Sequence, residues 1–142
     1  MRTTGRGLSY LSHKQWLIVI NGADSRRRQR LTVFHEYKHI LDHGRLATLY
    51  GNSHALSEAA ADYFAGCVLV PEPLLRRCWN SGLRDTTSLA RRFEASARAV
   101  AVRLYQTGLS STIDTRDSGP ITRLVLDLLA ESPDTRPMEA IA

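Results

Sequence analysis

Cysteine and lysine are nearly missing from this 142-residue chain, which has only Cys67 and Cys78, and only Lys14 and Lys38. Two thiols cannot build the disulfide framework of a small secreted domain, and a reducing cytosol keeps such thiols free. Long apolar runs are missing as well. The longest near the start, Trp16 to Ile20, falls far short of the roughly 20 residues that cross a bilayer, and no signal-peptide core precedes a small-residue cleavage site. The expected location is therefore the cytoplasm, without a membrane partner. No internal repeat or low-complexity stretch is present, so collagen-like and coiled-coil architectures fall away.

What remains is an ordinary globular composition, 43% hydrophobic and 23% charged, long enough for one domain and too short for two large ones. With lysine so scarce, the net charge of +5 is carried by arginine. That excess has two readings, an anionic partner such as nucleic acid or the codon usage of a GC-rich genome. Arg26, Arg27, Arg28 and Arg30 are crowded just ahead of the most informative segment.

Gly7 to Ser12 and Gln15 to Asn21 carry the signature of two short strands, the second rich in β-branched and aromatic residues and closed by Asn21-Gly22. Asp24 or Ser25 is the N-cap expected for a helix running through about His43, with Gly44 at its C-terminus. After the polar loop GNSHA, Ser57 is expected to cap an alanine-rich helix from Glu58 to Val70, which Pro71 stops. A short helix opened by Pro73 follows. Helices are then expected over Thr86 to Ala95, over Ser96 to Thr107, and at about Pro120 to Glu131. The expected fold class is α+β, a small β-sheet packed on a helical core.

The chemistry sits in LTVFHEYKHILDH, residues 31 to 43, which contains His35, Glu36 and His39 in the pattern HExxH. Residues four apart on a helix share a face and lie about 6 Å apart along the axis, so two imidazoles can close on one ion. Glu36 then stands where a metal-bound water would lose its proton. A third ligand is needed. His43 is too far, because three histidines at successive four-residue steps span about 12 Å of axis. The HExxHxxGxxH spacing fails too, with Asp42 in place of the glycine and Arg45 in place of the last histidine. Glu58 on the next helix fits, and Asp62, one turn on, can accept a hydrogen bond from the free ring nitrogen of a ligand histidine.

These segments resemble the ImmA/IrrE family of metallo-endopeptidases. In that family a strand, an arginine-flanked HExxH helix and a glutamate-bearing helix occur in this order, as in RRRQRLTVFHEYKHILDH followed by SEAAADYFAGCVLVP. The resemblance continues into LARRFEASARAVAVRL at 89 to 104 and so covers about residues 15 to 110. It implies a zincin-like core in which His35, His39 and Glu58 bind Zn²⁺, Glu36 is the general base, and the substrate is a helix-turn-helix transcriptional repressor, an antirepressor role. Two departures stand out: Tyr37-Lys38 replace the family's common Leu-Gly, and Ala60 and Asp62 stand where a second Glu and an Asn are frequent.

On this reading residues 1–80 form the metallopeptidase core and 81–142 a helical segment packed on it, effectively one compact domain. His43, His54, Tyr37 and Tyr63 are candidates for the cleft or for stabilising the oxyanion, and the Gln15 to Asn21 strand could offer its edge to an extended peptide. The competing reading is a DNA- or repressor-binding module. In it, the helix-turn-helix-like segment LARRFEASARAVAVRLYQTGL presents Arg98, Arg103 and Gln106, and the metal site is structural or inactive. The arginines at 26 to 30 lie at the entry to the HExxH helix, which favours partner docking or packing over general nucleic-acid affinity.

Overall fold

The computed structural model describes residues 7–111, and the helix expected at 120–131 lies outside them. Strands β1 (Gly7–Ser12) and β2 (Gln15–Ile20) form an antiparallel pair. Helices α1 (Arg26–Leu41), α2 (Leu46–Tyr50), α3 (His54–Leu69), α4 (Glu72–Asn80), α5 (Thr86–Phe93) and α6 (Ala97–Gln106) follow. The described residues are thus α+β, with a two-stranded sheet and six helices. No helix among them is long and apolar enough to cross a membrane.

The two strands turn through His13 and Lys14, both at positive φ, the backbone hand that matches strand twist in a two-residue hairpin. Register sets Gly7 and Ser9 opposite Ile20 and Ile18 on one face, and Leu8 and Tyr10 opposite Val19 and Leu17 on the other. The first face lies on α1, where only glycine fits at position 7: a Cβ there would come to 2.5 Å from Thr32 Cγ2. The four large side chains of the second face are exposed.

Helix α1 starts behind Ser25, whose hydroxyl accepts from the Arg28 amide. It ends at Leu41, two residues before the expected His43, because Asp42 already caps it and Gly44 turns the chain at φ +75°. Helix α2 is unannounced in the sequence, since five residues are too few to display a helical period. Gly51 and Asn52, both left-handed, reverse the chain and leave Ser53 as the first extended residue. Ser53 therefore caps α3 through the Leu56 amide. The helix starts at His54, a turn earlier than Glu58, and Ser57 is buried within it instead of capping it. Likewise α5 stops at Phe93, because Glu94 adopts the left-handed conformation.

Helices α1 and α3 run antiparallel, the partners His35 with Asp62 and His39 with Glu58 stepping in opposite directions along the two helices. Ala61 and Ala65 are completely buried, and such small side chains let helix axes approach closely. The alanine-rich stretch is nevertheless buried on one side only, with Tyr63 and Val68 exposed. The apolar core joins the end of α3 to α4, α5 and α6 through Leu69, Val70, Leu75, Leu89, Val100 and Leu104, and so draws on both sides of residue 80. Burying a side chain such as Leu75 or Leu89 contributes about 2 kcal/mol by transfer from water.

Arginines close helix ends around this core. Arg30 donates to the Phe93 and Glu94 carbonyls at the end of α5, at 3.1 and 2.7 Å. Arg76 donates to Thr107 O at the end of α6, and Arg103 to Val70 O at the end of α3. Each puts a cation on unpaired carbonyls at the negative end of a helix dipole.

The end of α1 is tied to α2 by a compact polar cluster. Lys38 Nζ lies 2.6 Å from both Asp42 carboxylate oxygens, and Tyr50 donates to Asp42 Oδ2 at 2.6 Å. Burial by itself would raise the Asp42 carboxyl, but the hydrogen bonds from Lys38 and Tyr50 outweigh it and hold the group below the ordinary carboxylate range. Its stabilisation is present above the unfolded-state pKa and is lost as pH falls through the lower, folded one. Asp42→Asn is expected to cost about 2–3 kcal/mol at neutral pH, the scale of hydrogen bonds to a charged group. In denaturant titrations the gap between wild type and variant closes as the pH drops below about 4; a gap that stays constant from pH 7 to 3 contradicts this account.

Candidate metal centre

Donor atoms of three side chains converge where α1 crosses the start of α3. His35 Nε2 and His39 Nε2 are 3.1 Å apart, Glu58 Oε2 is 3.3 Å from His35 Nε2, and Glu58 Oε1 is 3.0 Å from His39 Nε2. His35, His39 and Glu58 are the one group of three or more His, Cys, Asp or Glu residues among those described that could hold a metal ion. Tetrahedral zinc, with bonds of about 2.0–2.1 Å, needs its ligands about 3.3 Å from one another, so the spacing fits. Neither cysteine belongs to the group, and both are free thiols.

The far side of each imidazole is also engaged from α3. His35 Nδ1 is 2.9 Å from Asp62 Oδ1, and His39 Nδ1 is 3.4 Å from the Ser57 hydroxyl. With its Nδ1 proton on Asp62, His35 turns the lone pair of Nε2 toward the cluster, the tautomer a metal requires. Two Nε2 lone pairs so close repel unless a proton or a metal cation lies between them. Burial would lower the His35 pKa, yet the Asp62 hydrogen bond and the charges of Asp62, Glu58 and Glu36 outweigh burial and raise it. The buried His35 imidazole, facing Asp62, Glu58 and Glu36, sits in a site that favours positive charge, whether a proton or a metal.

Glu36 is buried, and its Oε2 accepts a 2.8 Å hydrogen bond from Ser9 of β1. Its other oxygen has no hydrogen bond among the described residues. The tight seat of Gly7 against Thr32 and Glu36 is what brings Ser9 to this distance. Ser9 does not stand out in the sequence and Ser57 does so only as a helix cap, and the one signal for a place at the site was their strand or helical phase relative to Glu36 and His39.

The remaining candidates scatter. His54, the first residue of α3, has its Nδ1 3.9 Å from Glu58 Oε1 with the ring solvent-exposed. His43 packs edge-on against Trp16, ring centroids 4.8 Å apart. Tyr37 is exposed and lies near Phe64, and Tyr63, the residue after Asp62, lines a cavity together with it. Lys38, in place of the family's usual glycine, turns to Asp42 and Tyr50.

A family model described as the IrrE N-terminal-like domain, a peptidase domain, matches residues 1–105. The chain belongs to this IrrE N-terminal-like peptidase family. No curated protein and no solved structure gives a significant match. The family relationship expected from the motifs is thereby borne out, and an IrrE N-terminal-like peptidase domain implies a metal and a protein substrate. The His35, His39 and Glu58 group is where this chain could hold that metal.

Metal analysis of purified protein is expected to find about one zinc per chain, lost in Glu58→Ala. Asp62→Asn should weaken zinc affinity by about 10- to 100-fold, the usual cost of losing a ligand histidine's carboxylate partner. Full zinc occupancy in Glu58→Ala would overturn the ligand set.

Proposed function

We propose that the protein is a zinc-dependent metallo-endopeptidase. The observation that carries this reading is the triangle of His35, His39 and Glu58 donors with Glu36 beside it, in a chain of a peptidase family. A bound Zn²⁺ would supply Lewis acidity, bringing the pKa of a water toward neutrality and polarising the peptide carbonyl. Glu36 takes the proton from the attacking water and delivers it to the departing amine. Ser9 fixes one carboxylate oxygen and so aims the other, while Asp62 and Ser57 hold the imidazoles in register. His54 is the best placed of the candidates to meet the oxyanion, being exposed at the rim beside Glu58.

The proposed substrate is a helix-turn-helix repressor in the cytoplasm, which would make the protein an antirepressor; the family resemblance supports this. An edge of the β1–β2 pair lies over the same helix as Glu36 and is suited to an extended peptide. The competing DNA-binding role of α5 and α6 is disfavoured by the fate of its polar residues. Arg103 is only 4% exposed and lines a cavity with Gln106, to which it donates, instead of projecting from the helix, so it is set back from a base edge in a duplex groove.

Glu36→Gln is expected to retain zinc and to lose about 10²- to 10⁴-fold in kcat/KM, the range for a general acid–base group, when cleavage of a purified helix-turn-helix repressor is followed. Turnover within tenfold of wild type would remove Glu36 from the mechanism. Cleavage of unfolded polypeptides with no cut in any such repressor would overturn the substrate.

A further inference from the structure

A cavity of about 610 Å³ lies between the start of α1, the middle of α3 and one face of α6. Among the described residues Arg27, Arg28, Arg98 and Arg103 line it against a single lining carboxylate, Asp62, with Arg28 also paired to Asp24. Asp62 is already engaged with His35 Nδ1, so its charge is shared with the metal centre.

Arg103 makes the cavity more than a patch of surface charge. It is only 4% exposed, and its hydrogen bonds go to neutral acceptors, Nε to Val70 O at 3.1 Å and Nη1 to Gln106 Oε1 at 2.9 Å. It has no carboxylate within ion-pair distance among the described residues. A desolvated guanidinium whose partners are a carbonyl, an amide oxygen and an aromatic ring carries no neutralising charge, and an anion in the cavity would supply it. The Tyr63 ring, its centroid 5.9 Å from Cζ, flanks the guanidinium, which lines the cavity together with it and so faces an incoming acceptor there. Arg27, on the opposite wall, forms no ion pair or hydrogen bond among the described residues.

Two further features favour negative charge at the same place. The N-caps of α1 and α6, Ser25 and Ser96, both line the cavity, and neither helix has an acidic residue in its first turn. Their positive dipole ends, capped by serine hydroxyls and without a first-turn carboxylate, therefore lie beside the guanidinium groups. Apolar side chains, Leu31 and Val102 among them, line the remainder, as suits the methylene stem of a side chain.

The position relates the cavity to the chemistry. Leu31 precedes His35 by one helical turn, and Asp62 follows Glu58 by one turn, so the cavity continues the α1–α3 seam about 5–6 Å beyond the donor triangle. An extended peptide advances about 3.3 Å per residue, which makes that step about two residues. We propose that this cavity is a specificity pocket for a carboxylate side chain, Asp or Glu, of the polypeptide substrate, about two residues from the cleaved bond. The role in cleavage rests on the peptidase reading; the binding of the carboxylate does not.

The test uses a neutral peptide series in which a single Glu, or Gln in its place, is moved along the sequence. Binding is read by fluorescence anisotropy on zinc-loaded Glu36→Gln protein, and cleavage as kcat/KM on wild type. At one position the Glu peptide is expected to bind about 10-fold more tightly than its Gln twin, the scale of a charge-assisted hydrogen bond. Adding Arg27→Gln should cut that ratio below about threefold, while Arg27→Lys should keep most of it. Equal binding of Glu and Gln peptides at every position, or a ratio unmoved by Arg27→Gln, would overturn the pocket. A Glu preference in binding without cleavage of any peptide by wild type would support the pocket and overturn the peptidase reading instead.

Discussion

The antiparallel contact of α1 with α3 is the constraint on which the site depends. Four side chains of α3, Ser57, Glu58, Ala61 and Asp62, recur at helical spacing on one face, and two histidines one turn apart on α1 meet them. Ala61 and Ala65, completely buried, keep the helices close enough for Glu58 to reach both Nε2 atoms. A larger residue at either position would push α3 outward and open the donor triangle, with the ligands themselves unchanged. The hairpin has a matching task on the other side of α1, where Gly7 admits the strand and Ser9 reaches Glu36.

The arginine excess, ambiguous as a net charge, resolves into distinct tasks. Arg30, Arg76 and Arg103 hold the carbonyl ends of α5, α6 and α3, and Arg28 pairs with Asp24. A guanidinium is well suited to capping because its planar fork offers several donors from one long stem. Much of the charge is therefore structural, and the part that faces a cavity is concentrated beside the metal centre instead of spread over a nucleic-acid-binding face.

Much of the site was legible in the sequence because HExxH is a local pattern: one helix dictates its spacing, and helical geometry is known in advance. Glu58 was legible as soon as a second helix could be placed, since Asp62 four residues later marks the same face. The start of that helix was less so. Ser53 and Ser57 are equally good caps by type, and the choice depended on the left-handed pair Gly51 and Asn52, a backbone property that composition does not announce. Helix α2 is shorter than the hydrophobic period needed to detect it. Ser9 was out of reach because its contact with Glu36 joins elements 27 residues apart. Lys38 looked like a change beside the metal and proved to be a tie between α1 and α2.

The claim that one metal ion is bound by two histidines and a carboxylate, one element supplying both imidazoles and the next supplying the oxygen, is tested most directly by X-ray absorption at the zinc edge on the purified protein. The account predicts a nitrogen and oxygen shell at about 2.0–2.1 Å with the multiple-scattering signature of two imidazoles. A sulfur shell at about 2.3 Å, or a spectrum without imidazole scattering, would contradict it.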